Sequence, residues 1–214
     1  MGQRTKGKCK CCGKEYTMSY KSICSKHNRN YWMFIEIRDT VTLKDLDRFL
    51  RDIWLECCGH LSAFNINGVT YDVDFSEDSF FGRPVKSMDC SLKSVLKKDM
   101  AIEYEYDFGS TTELIITVVD FRTGYREKES HTILSRNNPP VFLCSECGKK
   151  EAKLICMECV WEGFEGFLCE ECSRTHACGE DMLMNVCNSP RMGVCGYQGS
   201  DIYPDQFVPD TEKV

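Results

Sequence analysis

Between residues 144 and 178 the sequence sets out three C-x2-C pairs and one His-x-Cys pair in succession: Cys144/Cys147, Cys156/Cys159, Cys169/Cys172 and His176/Cys178. Four donors make a tetrahedral metal shell, and a C-x2-C knuckle brings two thiolates to one ion. These eight residues therefore suffice for two zinc ions. Two connectivities fit. A cross-brace joins Cys144, Cys147, Cys169 and Cys172 on one ion, and Cys156, Cys159, His176 and Cys178 on the other. A sequential arrangement joins neighbouring pairs instead. The eight residues between the first two pairs form a short spacer, which favours the cross-brace, B-box-like layout.

A second cysteine-rich segment opens the chain. Cys9, Cys12, Cys24 and His27 have the spacing of a Cys3His zinc finger, with Cys11 as a spare thiol. About three zinc ions per chain are thus expected. All shells are filled by protein donors, as in structural sites, whereas catalytic zinc keeps a position open for water.

Sixteen cysteines also suit a secreted disulfide protein. Three features favour zinc. The N-terminus has no apolar stretch behind its charges and is not a secretory signal. The cysteines come mostly in pairs, and none lies strictly between Cys90 and Cys144. Zinc thiolates need a reducing compartment, so a cytoplasmic location is expected. The longest mainly apolar run, Leu114 to Val119, is far too short to span a membrane.

Charge divides the chain in the same places. Residues 1–30 carry +7, residues 31–140 carry −6 and residues 141–214 carry −7. The organisation that results is a basic zinc finger over 1–30, an α+β domain over 31–138 and a two-zinc module with tail over 139–214. Asn137-Asn138-Pro139-Pro140 serves as the linker.

The middle segment has ordinary periodicity. A strand runs from about Trp32 to Arg38. Thr42 caps a helix with Asp45 as capping-box partner, and Leu43, Leu46, Phe49, Leu50, Ile53 and Trp54 form its apolar face. Asn67-Gly68 breaks Phe64 to Val73 into a hairpin. Ser91 to Lys97 reads as a short helix. Ile102, Tyr104 and Tyr106 alternate with acids in a half-buried strand, and a turn at Asp107 to Ser110 leads into a central strand from Leu114 to Phe121. The class is α+β, a compact domain of strands with one main amphipathic helix.

Other signals carry less. Cys57-Cys58-Gly59-His60 reads as a helix end, with Gly59 as the stop and the thiols packed nearby rather than as ligands. Cys187 and Cys195 are alternatives to Cys178 as the eighth ligand. Cys90 reads as a lone thiol and His131 as exposed. Asp107-Phe108-Gly109 lacks the companion motifs of a kinase. Asp72, Asp74, Glu77 and Asp78 read as a solvated acidic face.

The stretch from Met33 through the capped helix, then Gly59-His60-Leu61 to Phe64, then Tyr104-Glu105-Tyr106-Asp107-Phe108-Gly109, resembles the plasmid pRiA4b ORF-three-like family. These proteins are also described as TnpR-type insertion-element passengers. Asn188-Ser189-Pro190-Arg191-Met192-Gly193-Val194-Cys195-Gly196-Tyr197 resembles the tail of a zinc-bearing subgroup. The resemblance implies a compact α+β fold and a loose link to mobile elements, without an established activity. Where many members carry acids, a Trp and a His after the glycine, this chain has Ser110, Thr111, Thr112 and Leu114. An activity that needs that His is expected to be absent.

The leading expectation is a non-enzymatic, zinc-stabilised interaction or adaptor protein with a protein partner, anchored by Trp161, Phe164 and Phe167 if these are exposed. A second reading is nucleic-acid binding through the basic head, with Lys6, Lys8, Lys10, Lys14, Lys21, Lys26 and Arg29 on phosphates and Tyr16 or Tyr20 stacking on bases. A third is an enzyme acting on nucleic acid or nucleotides. No membrane association is expected.

Overall fold

A computed structural model describes residues 16–73, 85–124 and 130–209. It is a mixed α+β structure, mostly strands with one main helix. β1 (Tyr16–Ser25), β2 (Trp32–Arg38), β3 (Ser62–Ile66), β4 (Val69–Asp72), β5 (Val85–Ser87), β6 (Ala101–Tyr106), β7 (Thr112–Gly124) and β8 (His131–Arg136) form one sheet in the order β5-β4-β3-β6-β7-β1-β2-β8. All neighbours are antiparallel except β4 and β5.

The apolar face of this sheet packs on α1 (Leu43–Leu50). Thr42 and Asp45 form the expected capping box: the Thr42 hydroxyl accepts from the Asp45 amide at 3.1 Å, and the Asp45 carboxylate accepts from the Thr42 amide at 2.8 Å. Leu43, Leu46, Phe49, Leu50, Ile53 and Trp54 are all buried against Ile23, Met33, Ile35, Tyr104, Leu114 and Ile116. Each such side chain contributes about 1.5–3 kcal/mol by leaving water. Beyond Leu50 the backbone widens into a single π turn, Arg51–Leu55, and ends at the extended Glu56. The helix thus stops ahead of Cys57 and Cys58, and Gly59 (φ +78°) turns the chain after them.

The hairpin between β3 and β4 turns on Asn67 (φ 51°) and Gly68 (φ 79°), the positive pair that an Asn-Gly turn supplies. β7 carries one extra residue opposite β1, so that Tyr20 faces Asp120 and Lys21 faces Val118.

Residues 16–25, expected from the sequence to belong to a finger, are instead an interior strand hydrogen-bonded on both edges. Lys21 lies fully inside, its ammonium 2.6 Å from the Ser19 hydroxyl. Burial pushes that ammonium down to about 8, against the pull of Asp39. Lys21 therefore cannot reach a phosphate. Tyr20 lies under the Arg122 guanidinium, and Lys26 pairs with Glu113 at 2.6 Å. Lys6, Lys8, Lys10 and Lys14 lie outside the described residues.

A one-turn helix, α2 (Leu92–Val95), precedes β6. The Cys-rich module has its own small sheet, β10 (Phe167–Leu168), β9 (Leu154–Cys156) and β11 (Leu183–Asn185), in that order, with two one-turn helices, α3 (Met157–Trp161) and α4 (Glu170–Ser173). After β11 the chain returns to the central domain. Ser189 donates to the Trp54 carbonyl at 2.6 Å, Arg136 reaches the Asn188 carbonyl, and the Tyr203 hydroxyl meets His131 at 3.1 Å. His131 is accordingly half-buried against the Phe49 ring rather than exposed. Gly193 takes φ +75°, a conformation that residues with a Cβ rarely adopt, where the tail passes the Ile155 side chain. Among the described residues no helix is long and apolar enough to cross a membrane.

Candidate metal centres

Among the described residues, three groups of Cys and His could hold metal ions; within each, the four donor atoms lie within 4.8 Å of one another. The first is Cys144, Cys147, Cys169 and Cys172. Cys144 and Cys147 sit on a turn closed by the Gly148 amide on the Cys144 carbonyl at 2.8 Å. Cys169 caps α4 and Cys172 lies within it. Burial pushes the Cys144 thiol up, but the backbone amides of Cys147, Cys169 and Glu146 outweigh it and bring it down to about 6. Hydrogen bonds with Cys169 and Cys144 push Cys172 far up. Four sulfurs at this spacing cannot all carry charge by themselves, and a cation removes that conflict.

The second group is Cys156, Cys159, His176 and Cys178. Cys156 ends β9 and caps α3, which carries Cys159. Gly166 (φ +70°) passes so close beneath that a Cβ would stand 2.8 Å from the Cys156 carbonyl. Cys159 Sγ is 3.4 Å from His176 Nε2 and 3.9 Å from Cys178 Sγ. The other His176 nitrogen, Nδ1, is 2.8 Å from the Glu146 carboxylate. A carboxylate behind a histidine fixes its tautomer and makes it a better ligand. The donors therefore gather as first pair with third and second pair with fourth.

The third group was not expected. Cys57, Cys58 and His60 follow the π turn, and Cys195 comes from the returning tail. Buried polar residues hold this loop. Asp47 accepts from Arg51 at 2.9 Å, Ser62 at 2.6 Å and Tyr104 at 2.7 Å. Arg51 also donates to Glu56 at 2.9 Å and to the His60 carbonyl at 2.7 Å. Glu56 in turn takes the Gly59 amide at 2.6 Å and the Tyr106 hydroxyl at 3.1 Å. Burial pushes the Glu56 carboxyl up, but these donors bring it below its ordinary value. Arg51 and Arg191 both lie over the Tyr106 ring, 4.9 and 4.8 Å from its centre.

Of the N-terminal candidates, Cys9, Cys11 and Cys12 lie outside the described residues. Cys24 is half-buried on β1 opposite Trp32, and His27 stands on the turn that follows, hydrogen-bonded to Glu113. Among the described residues nothing joins these two in a metal group. Cys187 is buried away from the second group, with burial pushing its thiol up to about 12. Cys57, Cys58 and His60 meet Cys195 across 135 or more residues, and no local spacing announces such a meeting. The available signal is the concentration of donors in Cys-Cys-Gly-His itself.

The chain belongs to the plasmid pRiA4b ORF-3-like protein family, which matches residues 24–141. Among solved structures it is similar to a protein of unknown function, MM3350 from Methanosarcina mazei Go1, with 15% identity, a TM-score of 0.49, and 56% of this chain and 69% of that chain covered. No curated protein matches it.

Proposed function

We propose that this protein is a zinc-stabilised interaction protein without catalytic activity. Its C-terminal module holds two zinc ions and presents an aromatic pair to a partner protein. The observation that carries this reading is the exposure of Trp161 (67%) and Phe164 (66%) on a module whose Ile155 and Leu168 are buried. Phe167, the third aromatic, is stacked on Phe142 with ring centres 4.1 Å apart and belongs to the scaffold.

Thiolate and imidazole donors in fours suit zinc, and a full protein shell suits a structural role. The module has few apolar residues to bury, so the ions supply much of its folding free energy. Large exposed aromatics on such a frame are typical anchors of a protein contact. Glu162 and Glu165 stand exposed next to them in the chain, so the partner is a basic segment bearing apolar side chains. The donor groups also support placing the chain in a zinc-bearing subgroup of its family. A passenger role beside mobile elements rests on family resemblance alone. Nucleic-acid binding finds no support among the described residues.

Selection from a random-peptide display library on the full, metal-loaded chain tests the reading. Basic peptides with apolar residues should be enriched on the natural protein and lost on Trp161→Ser/Phe164→Ser, with metal content unchanged. Equal enrichment on the variant, or none on either protein, would overturn it.

A further inference from the structure

We propose that Cys57, Cys58, His60 and Cys195 bind a further soft divalent ion of the zinc class, which staples the returning tail to the central domain. The site is distinct from the module and does not depend on the reading of its function.

The donor spacing fits one ion. Cys57 Sγ lies 3.8 Å from Cys58 Sγ, and Cys58 Sγ lies 3.7 Å from Cys195 Sγ. His60 Nε2 lies 3.0 Å from Cys58 Sγ and 3.2 Å from Cys195 Sγ. A tetrahedral shell with metal–sulfur bonds of about 2.3 Å has sulfur–sulfur edges of about 3.8 Å, and sulfur–nitrogen edges slightly shorter. A disulfide between Cys58 and Cys195 would leave both His60 contacts without a purpose. One ion at the centre uses all four donors.

The backbone is shaped for the same point. Gly59 turns the chain in the left-handed region, so that residues on either side of it face one centre. Its amide is held by Glu56 and the next carbonyl by Arg51. Cys195 itself has φ 51°, a conformation that a cysteine rarely takes.

Charge supplies an independent observation. Three thiolates and one divalent ion leave a net negative charge. Arg191 is fully buried beside Cys57, its Nη atoms bond Asp107, Thr112 and the Ser110 carbonyl, and its Nε has no hydrogen-bond partner. A metal-bound Cys57 thiolate would place a second negative group, besides Asp107, against this buried guanidinium.

Cys58 and Cys195 are exposed, so replacing them disturbs no core packing. The test is metal content of the full chain purified under reductant, for the natural protein, Cys58→Ser/Cys195→Ser and Cys156→Ser. The proposal expects one ion fewer in Cys58→Ser/Cys195→Ser, with backbone hydrogen exchange rising over residues 187–203 and not over 144–185. Cys156→Ser should lose an ion with the opposite exchange pattern, which separates this site from the module. Cys58→His/Cys195→His should retain the ion and the protected tail. Unchanged metal content in the double serine variant would overturn the proposal. So would a Cys58–Cys195 disulfide found by peptide mapping of anaerobically purified protein. If the serine variant fails to fold, the same metal count on His60→Ala/Cys58→Ser decides: one ion fewer supports the site, and an unchanged count overturns it.

Discussion

The guanidinium of Arg191 donates to Asp107 at 2.6 Å, and both side chains are buried. Asp107 stands at φ 64° in the turn between β6 and β7, within the Tyr-Asp-Phe-Gly stretch that most marks the family resemblance. The turn is therefore a socket. Asp107 also takes the Gly109 amide at 3.0 Å, which shapes the turn around the arginine. Burial pushes the Asp107 carboxyl up, but Arg191 and the turn amides bring it below its ordinary value. A buried pair broken on one side leaves the other charge uncompensated, at a cost of about 3–5 kcal/mol. Arg191→Ala should lower the urea unfolding free energy by that order. A change below about 0.5 kcal/mol, the usual range for surface sites, would show that the pair does not anchor the tail.

Removal of the proposed metal ions should dissect the molecule. The central domain has its own buried cluster around Trp54, whereas the module is built around its donor groups. With a strong chelator, amides of β9, β10 and β11 should exchange rapidly while those of β1, β2 and β7 stay protected. Simultaneous loss of protection in both sets would mean that the two parts form one cooperative unit.

The capping box at Thr42 predicts a smaller effect. Thr42→Ala removes the acceptor for the Asp45 amide and should cost about 1 kcal/mol. Asp45→Ala should cost less once Thr42 is already gone, because the two bonds are reciprocal. Strict additivity in that double-mutant cycle would contradict the observed geometry.

Lys21 gives the fold a pH dependence. An unfolded lysine titrates near pH 10.4, whereas burial lowers the folded group to about 8. Between those values the unfolded chain binds more protons, so stability rises with pH. Below about pH 8 both states are protonated, and the buried charge costs on the order of 3 kcal/mol. The natural protein should therefore gain stability relative to Lys21→Met as pH rises through this window. Parallel pH profiles of the two urea midpoints, measured with metal saturated, would show Lys21 to be uncoupled from folding.

Where local chemistry decides, the sequence is readable. The Thr42 cap, the apolar face from Leu43 to Trp54, the Asn67-Gly68 hairpin and the alternation of Ile102, Tyr104 and Tyr106 all recur in the structure. β1 is hidden in the sequence because its buried face carries Ser19 and Lys21, whose polarity masks the strand period; their partners lie on β2 and β7. The gathering of Cys144 with Cys169, and of Cys156 with His176, follows from short spacers. The meeting of Cys58 with Cys195 does not, because it depends on how the tail from Asn188 to Tyr203 returns over the π turn.

The central place of β1 also governs how the chain can be made. β1 pairs with β2, which follows at once, and with β7, whose last residue is Gly124. During synthesis one edge of β1 stays unpaired until some hundred residues have followed it. The tail that locks Asp107 and Trp54 leaves the ribosome later still. Non-local pairings of this kind slow folding and leave strand edges exposed to other chains. The edge of β1 that β7 covers is therefore open to pairing with other chains until β7 has been synthesised.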